Sequence, residues 1–386
     1  MRPLSSVLLA AVAAPLALAY GCGLDASGLV TTATSGVRDG GTTLPTLPDA
    51  SRPDTAVPGA CQPGTCPPVA LANAQNDPRA VAIDALDVFW VNFGSPTASP
   101  SFSDGSVMRA SKDGSSVAAM FARPEMLYRG PSSITVAGGA VVWGCSQGGA
   151  IMRSDPLGAT PVTVSVGQLA PAGVAFDPST GDLFWTNGGD SVRSIIRQPG
   201  GGGPQGVVAS DARGASAIVL DADHVYWAAS VDNSVKRVKR DGTCDGKTCP
   251  EVLLAPRGVP EAAVRIAVDG ANVYATNADD GHVTQVAVDA ASSTDPSAVV
   301  LASQPHAMGL ALDEEYVYFV TYSASGEVWR ARKDGSGSEA LAHGQAWPHA
   351  IAVDATAVYW VNRGTQTAAS GDVHDAHDGQ VMRLAR

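Results

Sequence analysis

From Pro78 to Arg386 the apolar residues come in short runs broken by turn residues, and the same order of runs returns seven times. A run of about five apolar residues ends in Asp, a few turn residues follow, and an aromatic run such as VYW, LFW or VFW comes next. The seven units read AVAIDALDVFWVN, ITVAGGAVVWGC, GVAFDPSTGDLFWTN, AIVLDADHVYWAA, RIAVDGANVYATN, GLALDEEYVYFVT and AIAVDATAVYWVN. In VYWVN the valine, tryptophan and valine alternate with other residues, the period of two expected of a strand. A third run opens on small polar residues and Val or Ile, as in GSVMRAS, NSVKRVK, GEVWRAR and GQVMRLA. Four of these third runs pass into an Asp-containing turn, a hairpin signal. A fourth run, such as EVLLA or AVVLA, completes each unit as four up-and-down antiparallel strands, A to D.

Anchored on the turn residue, the units start at Asp84, Ala137, Asp177, Asp221, Asp269, Asp313 and Asp354, at spacings of 53, 40, 44, 48, 44 and 41 residues. Four-stranded blades repeat at about 40–50 residues, longer than a leucine-rich repeat. The fold class predicted is therefore all-β, a seven-bladed β-propeller over residues 60–386. The seventh unit stops at its third strand, MRLAR, and its missing fourth strand has a counterpart at the other end. Residues Cys61 to Leu71, CQPGTCPPVAL, match the third-to-fourth strand segment CDGKTCPEVLL of blade four, Cys244 to Leu254. This N-terminal strand is expected to complete blade seven and close the ring, leaving no long unpaired edge.

The pattern P-x-A-I-A-V-D, then V-Y-W-V-N, then G-x-V-x-R-x-x-x-D-G resembles the YWTD repeat of lipoprotein-receptor propellers and, more loosely, NHL and gluconolactonase-type propellers. The resemblance covers roughly residues 67–386. It departs where Asn92, Asn187, Asn277 and Asn362 stand in place of the YWTD aspartate, which implies a reorganised turn. These families share a scaffold and differ in activity, so the resemblance informs fold more than function.

Arg2, the apolar run Val7 to Ala14 and the small residues at Ala17 and Ala19 form a secretory signal peptide over residues 1–21, too short to span a membrane. Two processing readings stand open: an A-x-A site ending at Ala19, with cleavage before Tyr20, and an imperfect lipobox, Ala19-Tyr20-Gly21-Cys22, with lipidation of Cys22. The second makes the chain a bacterial lipoprotein whose membrane contact is its lipid anchor, and Gly23 after the cysteine points to the outer membrane; the first leaves it periplasmic or extracellular. Residues 22–59, rich in Thr, Ser, Pro, Gly and Asp, have too little apolar surface to fold and read as a tether.

Cys61/Cys66 and Cys244/Cys249 each bracket four residues in equivalent strand C to strand D connections. That spacing permits a local disulfide in each, worth about 2 kcal/mol for so short a loop; the alternative, one zinc site shared by both pairs, requires opposite sides of the ring to meet. Cys145, beside Trp143, reads as a small buried hydrophobe. A net charge of −12, with no basic stripe, argues against nucleic acid as a partner. The strand B aromatics are needed as packing between blades.

In a repeat protein, function is sought where the repeat breaks. Aspartates present at nearly every A-to-B turn are explained by the turn itself, since Asp bonds its own backbone there. The breaks gather in two neighbouring blades. The B-to-C connection is long in blade one, NFGSPTASPSFSD from Asn92, and in blade seven, NRGTQTAASGDVHDAHD from Asn362, which contains Arg363. D-to-A connections emerge on the same face and bring Arg79, in DPRAVAID, and Trp347-Pro348-His349, in WPHAIAVD. Arg79 and His349 hold the same place in their repeats. Blade six adds His306, two residues further from its turn Asp. The expected ligand-binding patch therefore comprises Arg79, His306, Trp347, His349, Arg363, His374 and His377. Within it, His374 and His377 with Asp375 and Asp378 offer imidazole and carboxylate ligands suited to a divalent metal, with His349 available to complete the shell; a solvated loop is the competing reading. No G-x-S-x-G elbow, H-E-x-x-H or phosphate-cradling loop is present, and no catalytic residue is assigned.

The function expected is non-catalytic binding of an extracytoplasmic protein, peptide or glycan by a monomeric propeller that needs no cofactor. The alternative is a metal-dependent, lactonase-like hydrolase or a lyase with its site at the channel mouth.

Overall fold

The computed structural model describes residues 66–121, 128–158, 161–189, 192–210, 212–231, 234–243, 250–254, 263–289, 298–367 and 373–386. The signal peptide, the tether, Cys22, Cys61, Cys244 and Cys249 lie outside the described residues, and so does each expected cysteine pairing except for Cys66.

Among the described residues, 28 strands form seven antiparallel sheets of four strands each. Blade one takes strands Pro78–Ile83, Asp87–Asn92, Ser106–Ser111 and Val117–Phe121, in that spatial order. Five further blades repeat this order. Blade seven takes its first three strands from Pro348–Val353, Ala357–Asn362 and Gly379–Ala385, and its fourth from the N-terminal side of the chain, Val69–Gln75. There Val69 stands opposite Arg383 and Gln75 opposite Gly379, so the ring closes as expected. The closing strand runs four residues beyond Leu71, and those residues include a side chain that matters to the neighbouring blade.

Strand B is buried on both faces because each blade is covered on both sides. Its two adjacent aromatics point in opposite directions. Trp90 of blade one packs back on Tyr359 and Val361 of blade seven, while Phe89 packs forward on Val141 and Trp143 of blade two. Seven such clusters, one per interface, make up the core, and Trp90, Trp185, Trp227 and Trp360 are wholly buried in it. Burying an aromatic side chain contributes about 2–3 kcal/mol, so these pairs supply much of what holds the blades together. Cys145 is fully buried in the same layer, and burial pushes its thiol up to about 12, so it packs as an apolar residue.

Two polar devices join blades. On one face, the Oε1 of Gln75, at the end of blade seven's outer strand, accepts N–H from both Trp90 Nε1 (2.8 Å) and Asn92 Nδ2 (3.0 Å) of blade one. Gln345 does the same for Trp360 (3.0 Å) and Asn362 (2.9 Å), and Gln168 for Trp185 (2.9 Å) and Asn187 (3.0 Å). This is the work of Asn92, Asn187 and Asn362 in place of the YWTD aspartate, since an amide N–H can donate where a carboxylate could not, whereas Asn277 donates to Asp280. On the opposite face, one oxygen of each turn aspartate caps its own turn, as Asp313 Oδ1 does for the N–H of Glu315 and Tyr316. In four of these aspartates the other oxygen takes a cation from the next blade: Lys333 reaches Asp269 (2.8 Å), Lys112 reaches Asp354 (2.6 Å), Arg240 reaches Asp177 (2.7 Å) and Arg386 reaches Asp313.

Candidate functional site

Strand A of every blade lines a central channel, and each strand A is entered through the same corner. In six blades the residue just before strand A has a left-handed backbone, and its carbonyl accepts an N–H from a residue at the end of strand B. The pairs are Asp77 with Phe93 (2.9 Å), Gly130 with Ser146 (3.0 Å), Ala170 with Gly188 (3.2 Å), Gly214 with Ser230 (3.0 Å), His306 with Tyr322 (2.9 Å) and Trp347 with Arg363 (3.0 Å). Blade five's corner lies outside the described residues. Glycine is the economical residue at such a corner, and a Cβ at Gly214 would lie 2.4 Å from Ser230 Oγ. Yet blade seven carries Trp347 there at φ 54°, blade six His306 at 59° and blade one Asp77 at 55°. A bulky residue with positive φ is strained by about 1–3 kcal/mol and points to function where the fold itself does not require it. The position after strand B changes in step, from Ser146, Gly188, Ser230 and Ala278 to Tyr322, Arg363 and Phe93. Blades six, seven and one are neighbours, so both enlargements build one sector of one face.

At its centre Arg363, 1% exposed, forms a fork with Asp77 through Nε (2.5 Å) and Nη2 (3.1 Å). Arg79 shares the same carboxylate through Nε (2.9 Å) and Nη2 (2.7 Å), with its guanidinium 3.6 Å from the centroid of Phe93. Arg363 Nη1 donates to the Tyr322 hydroxyl, which stands 3.2 Å from His374 Nε2. His374 Nδ1 is 3.0 Å from the Gly364 carbonyl. A carbonyl only accepts, so Nδ1 carries a proton and donates to it. Trp347 meets Tyr322 edge-on at 4.9 Å and His374 at 5.5 Å between ring centroids. A continuous chain of charge, hydroxyl and imidazole thus runs from blade one through blade six to the blade seven loop. Buried polar networks with every member satisfied hold their side chains in one geometry.

His349 and Arg79 sit at bulges, where strand A shifts register between Pro348 and Ala350 and between Pro78 and Ala80. A bulge re-aims the extra side chain. His349 Nδ1 donates to the Arg79 carbonyl at 2.6 Å, again fixing the tautomer and leaving Nε2 as an acceptor. Burial, followed by the charges of Arg265, Arg363 and Arg79, holds the imidazole's pKa well below its usual value, so the ring is neutral at pH 7.

The structure brings together Arg79, Trp347, His349, Arg363 and His374. His306 and His377 are exposed; His306 holds the corner position of Trp347 and Asp77, not the strand position of Arg79 and His349. Far from being solvated, His374 is 2% exposed with both ring nitrogens engaged. Asp378 accepts both the N–H (2.9 Å) and the hydroxyl (2.5 Å) of Thr365, and Asp375 accepts the Thr367 hydroxyl. Among the described residues no group of three or more His, Cys, Asp or Glu side chains converges as a metal shell. Sequence reasoning missed Asp77, Phe93 and Tyr322, though each stands at an aligned repeat position where its counterparts in blades two to five are small.

Together, fold and sector define a seven-bladed β-propeller with one differentiated edge of its loop face. No family model matches the chain, and no curated protein matches it in sequence. Among solved structures it is similar to virginiamycin B lyase from Staphylococcus aureus, with 13% identity, 82% of this chain and 98% of that one covered, and a TM-score of 0.62. It is likewise similar to the RRP9 WD40 repeats, with 13% identity, coverage of 84% and 99%, and a TM-score of 0.60. A chain of a nidogen/laminin complex matches over 56% of this chain and 78% of that one, with 19% identity and a TM-score of 0.45. At these identities the first two likenesses show the propeller fold and nothing narrower.

Proposed function

We propose that this chain is an extracytoplasmic binding propeller, tethered through residues 22–59 and a lipid on Cys22, that engages a protein, peptide or glycan through the sector of blades six, seven and one. One observation carries the reading. The two repeat positions that are small elsewhere are enlarged only in this sector, and one of them is enlarged at the expense of backbone strain. Trp347 and Tyr322 are of the residue types enriched at binding hot spots, here held beside a buried ionic network. Propellers of similar fold include both a lyase and a WD40 repeat domain. A hydrolase or lyase reading would use the neutral His349 as its base. Affinity capture from envelope extract with the full chain, compared with a deletion of 365–377, tests the proposal. A single component lost with the deletion supports binding; turnover of lactone or ester substrates that vanishes in His349→Ala would replace it with the enzyme reading.

A further inference from the structure

Asn187 is the one asparagine of the chain that glycine follows. Such a pair is chemically unstable wherever the backbone is free. The peptide nitrogen after an asparagine attacks the side-chain amide carbon, and glycine, with no Cβ and wide freedom in φ and ψ, obstructs that approach least. Asparagine is accordingly among the thermolabile residues. Blade three places the pair at the end of its strand B, Leu183–Gly189, with Asn187 between Pro171 of strand A and Ser194 of strand C.

Three features of the fold hold the reaction off. Ring closure needs the Gly188 nitrogen on the same side of the chain as the Asn187 side chain, and the extended backbone of a strand keeps the two apart. The Gly188 N–H, which must lose its proton to become the nucleophile, donates to the Ala170 carbonyl at the corner (3.2 Å). The nitrogen that would leave, Asn187 Nδ2, donates to Gln168 Oε1 (3.0 Å), and the residue is 4% exposed. The clasp that guards the amide is also what its loss would break. An aspartate at position 187 has no N–H to give and sets a carboxylate against the Gln168 amide oxygen.

We propose that Asn187-Gly188 is a site of spontaneous deamidation, sealed in the folded propeller and exposed when blade three unfolds. In the unfolded segment the Gly188 nitrogen gives up its proton and bonds to Asn187 Cγ, the Cγ–Nδ2 bond breaks, and Nδ2 leaves as ammonia. Water then opens the cyclic imide at one of its two carbonyls. Position 187 becomes aspartate, or isoaspartate with the main chain rerouted through the side chain. Neither product rebuilds the clasp, and isoaspartate adds a backbone atom that shifts the strand's register. Chemical change in the unfolded state makes unfolding irreversible. Blade three lies outside the sector of blades six, seven and one, so the inference stands apart from the binding role proposed above.

The test holds the purified full chain at mildly alkaline pH with and without a denaturing concentration of urea. Peptide mass spectrometry across position 187 and the refolding yield by tryptophan fluorescence are followed together. In urea the peptide is expected to gain the mass of an amide-to-acid exchange while the native sample keeps its amide, and refolding is expected to fall in step with conversion. Gly188→Ser, which installs the residue that Ser146 and Ser230 supply in blades two and four, is expected to slow conversion several-fold and to preserve refolding. Its conversion in urea is readable even should that variant fold poorly. No conversion in urea, equal conversion in native and unfolded samples, or an equal rate in Gly188→Ser and the parent overturns the proposal.

Discussion

Arg363 and His306 are opposite kinds of residue in one sector, and substitution separates them. Arg363 is wholly buried against Asp77, so Arg363→Met strips that carboxylate of its fork and leaves it to Arg79. The expected loss is about 3–5 kcal/mol in denaturant unfolding, the usual cost of breaking a buried pair. His306 has an exposed side chain on a left-handed backbone, so His306→Gly is expected to gain about 1 kcal/mol by relieving strain. His349 adds a pH dependence whose sign follows from linkage. Its folded pKa lies well below 6.5, so below about pH 6.5 the unfolded chain takes up a proton that the folded chain refuses, and stability falls with pH. His349→Gln is expected to flatten the fall in melting temperature between about pH 6.5 and 5. Asp177, Asp221, Asp269, Asp313 and Asp354 are held below their ordinary range by hydroxyl, backbone or cation partners, Asp177 by Ser179 first, and lose their contribution only at more acid pH, below about 4.

At the scale of elements, the Gln–Trp–Asn clasp and the turn aspartates bind blade to blade on opposite faces. Trp360 Nε1 donates to Gln345, whereas Trp227 Nε1, in blade four, has no partner among the described residues. Trp227→Phe is therefore expected to be near neutral in unfolding free energy, and Trp360→Phe to cost about 1–3 kcal/mol by orphaning one side of the clasp. Strand order, the aromatic core and ring closure were legible in the sequence because all follow from period-two runs at a fixed spacing. The clasp was not, because Gln75 and Trp90 belong to different blades and no local pattern joins them. The aspartates were half legible: the turn cap is local, while the cation on the second oxygen comes from the following blade. His374 looked like part of a solvated loop, since its burial depends on Tyr322 and Trp347, which reach it from the preceding blade and corner.

For the whole molecule, the contacts that close the ring between blades seven and one include the strand Val69–Gln75 on Gly379–Ala385, the Gln75 clasp and the Lys112–Asp354 pair. Removing residues through Gln75 breaks the first two and bares a strand edge. A large fall in melting temperature with concentration-dependent aggregation is expected, measured by calorimetry and light scattering. The same closure is what sets blades six, seven and one side by side and makes one sector from residues nearly 300 apart in sequence, as in the Arg363–Asp77 pair. The central claim is that this sector carries the protein, peptide or glycan ligand. The measurement that tests it most directly is quantitative capture from envelope extract by the parent and by a Trp347→Gly/His306→Gly variant, which restores glycine to two strained corners and is expected to stay folded. The account predicts a component enriched on the parent and lost from the variant; equal retention by both would contradict it.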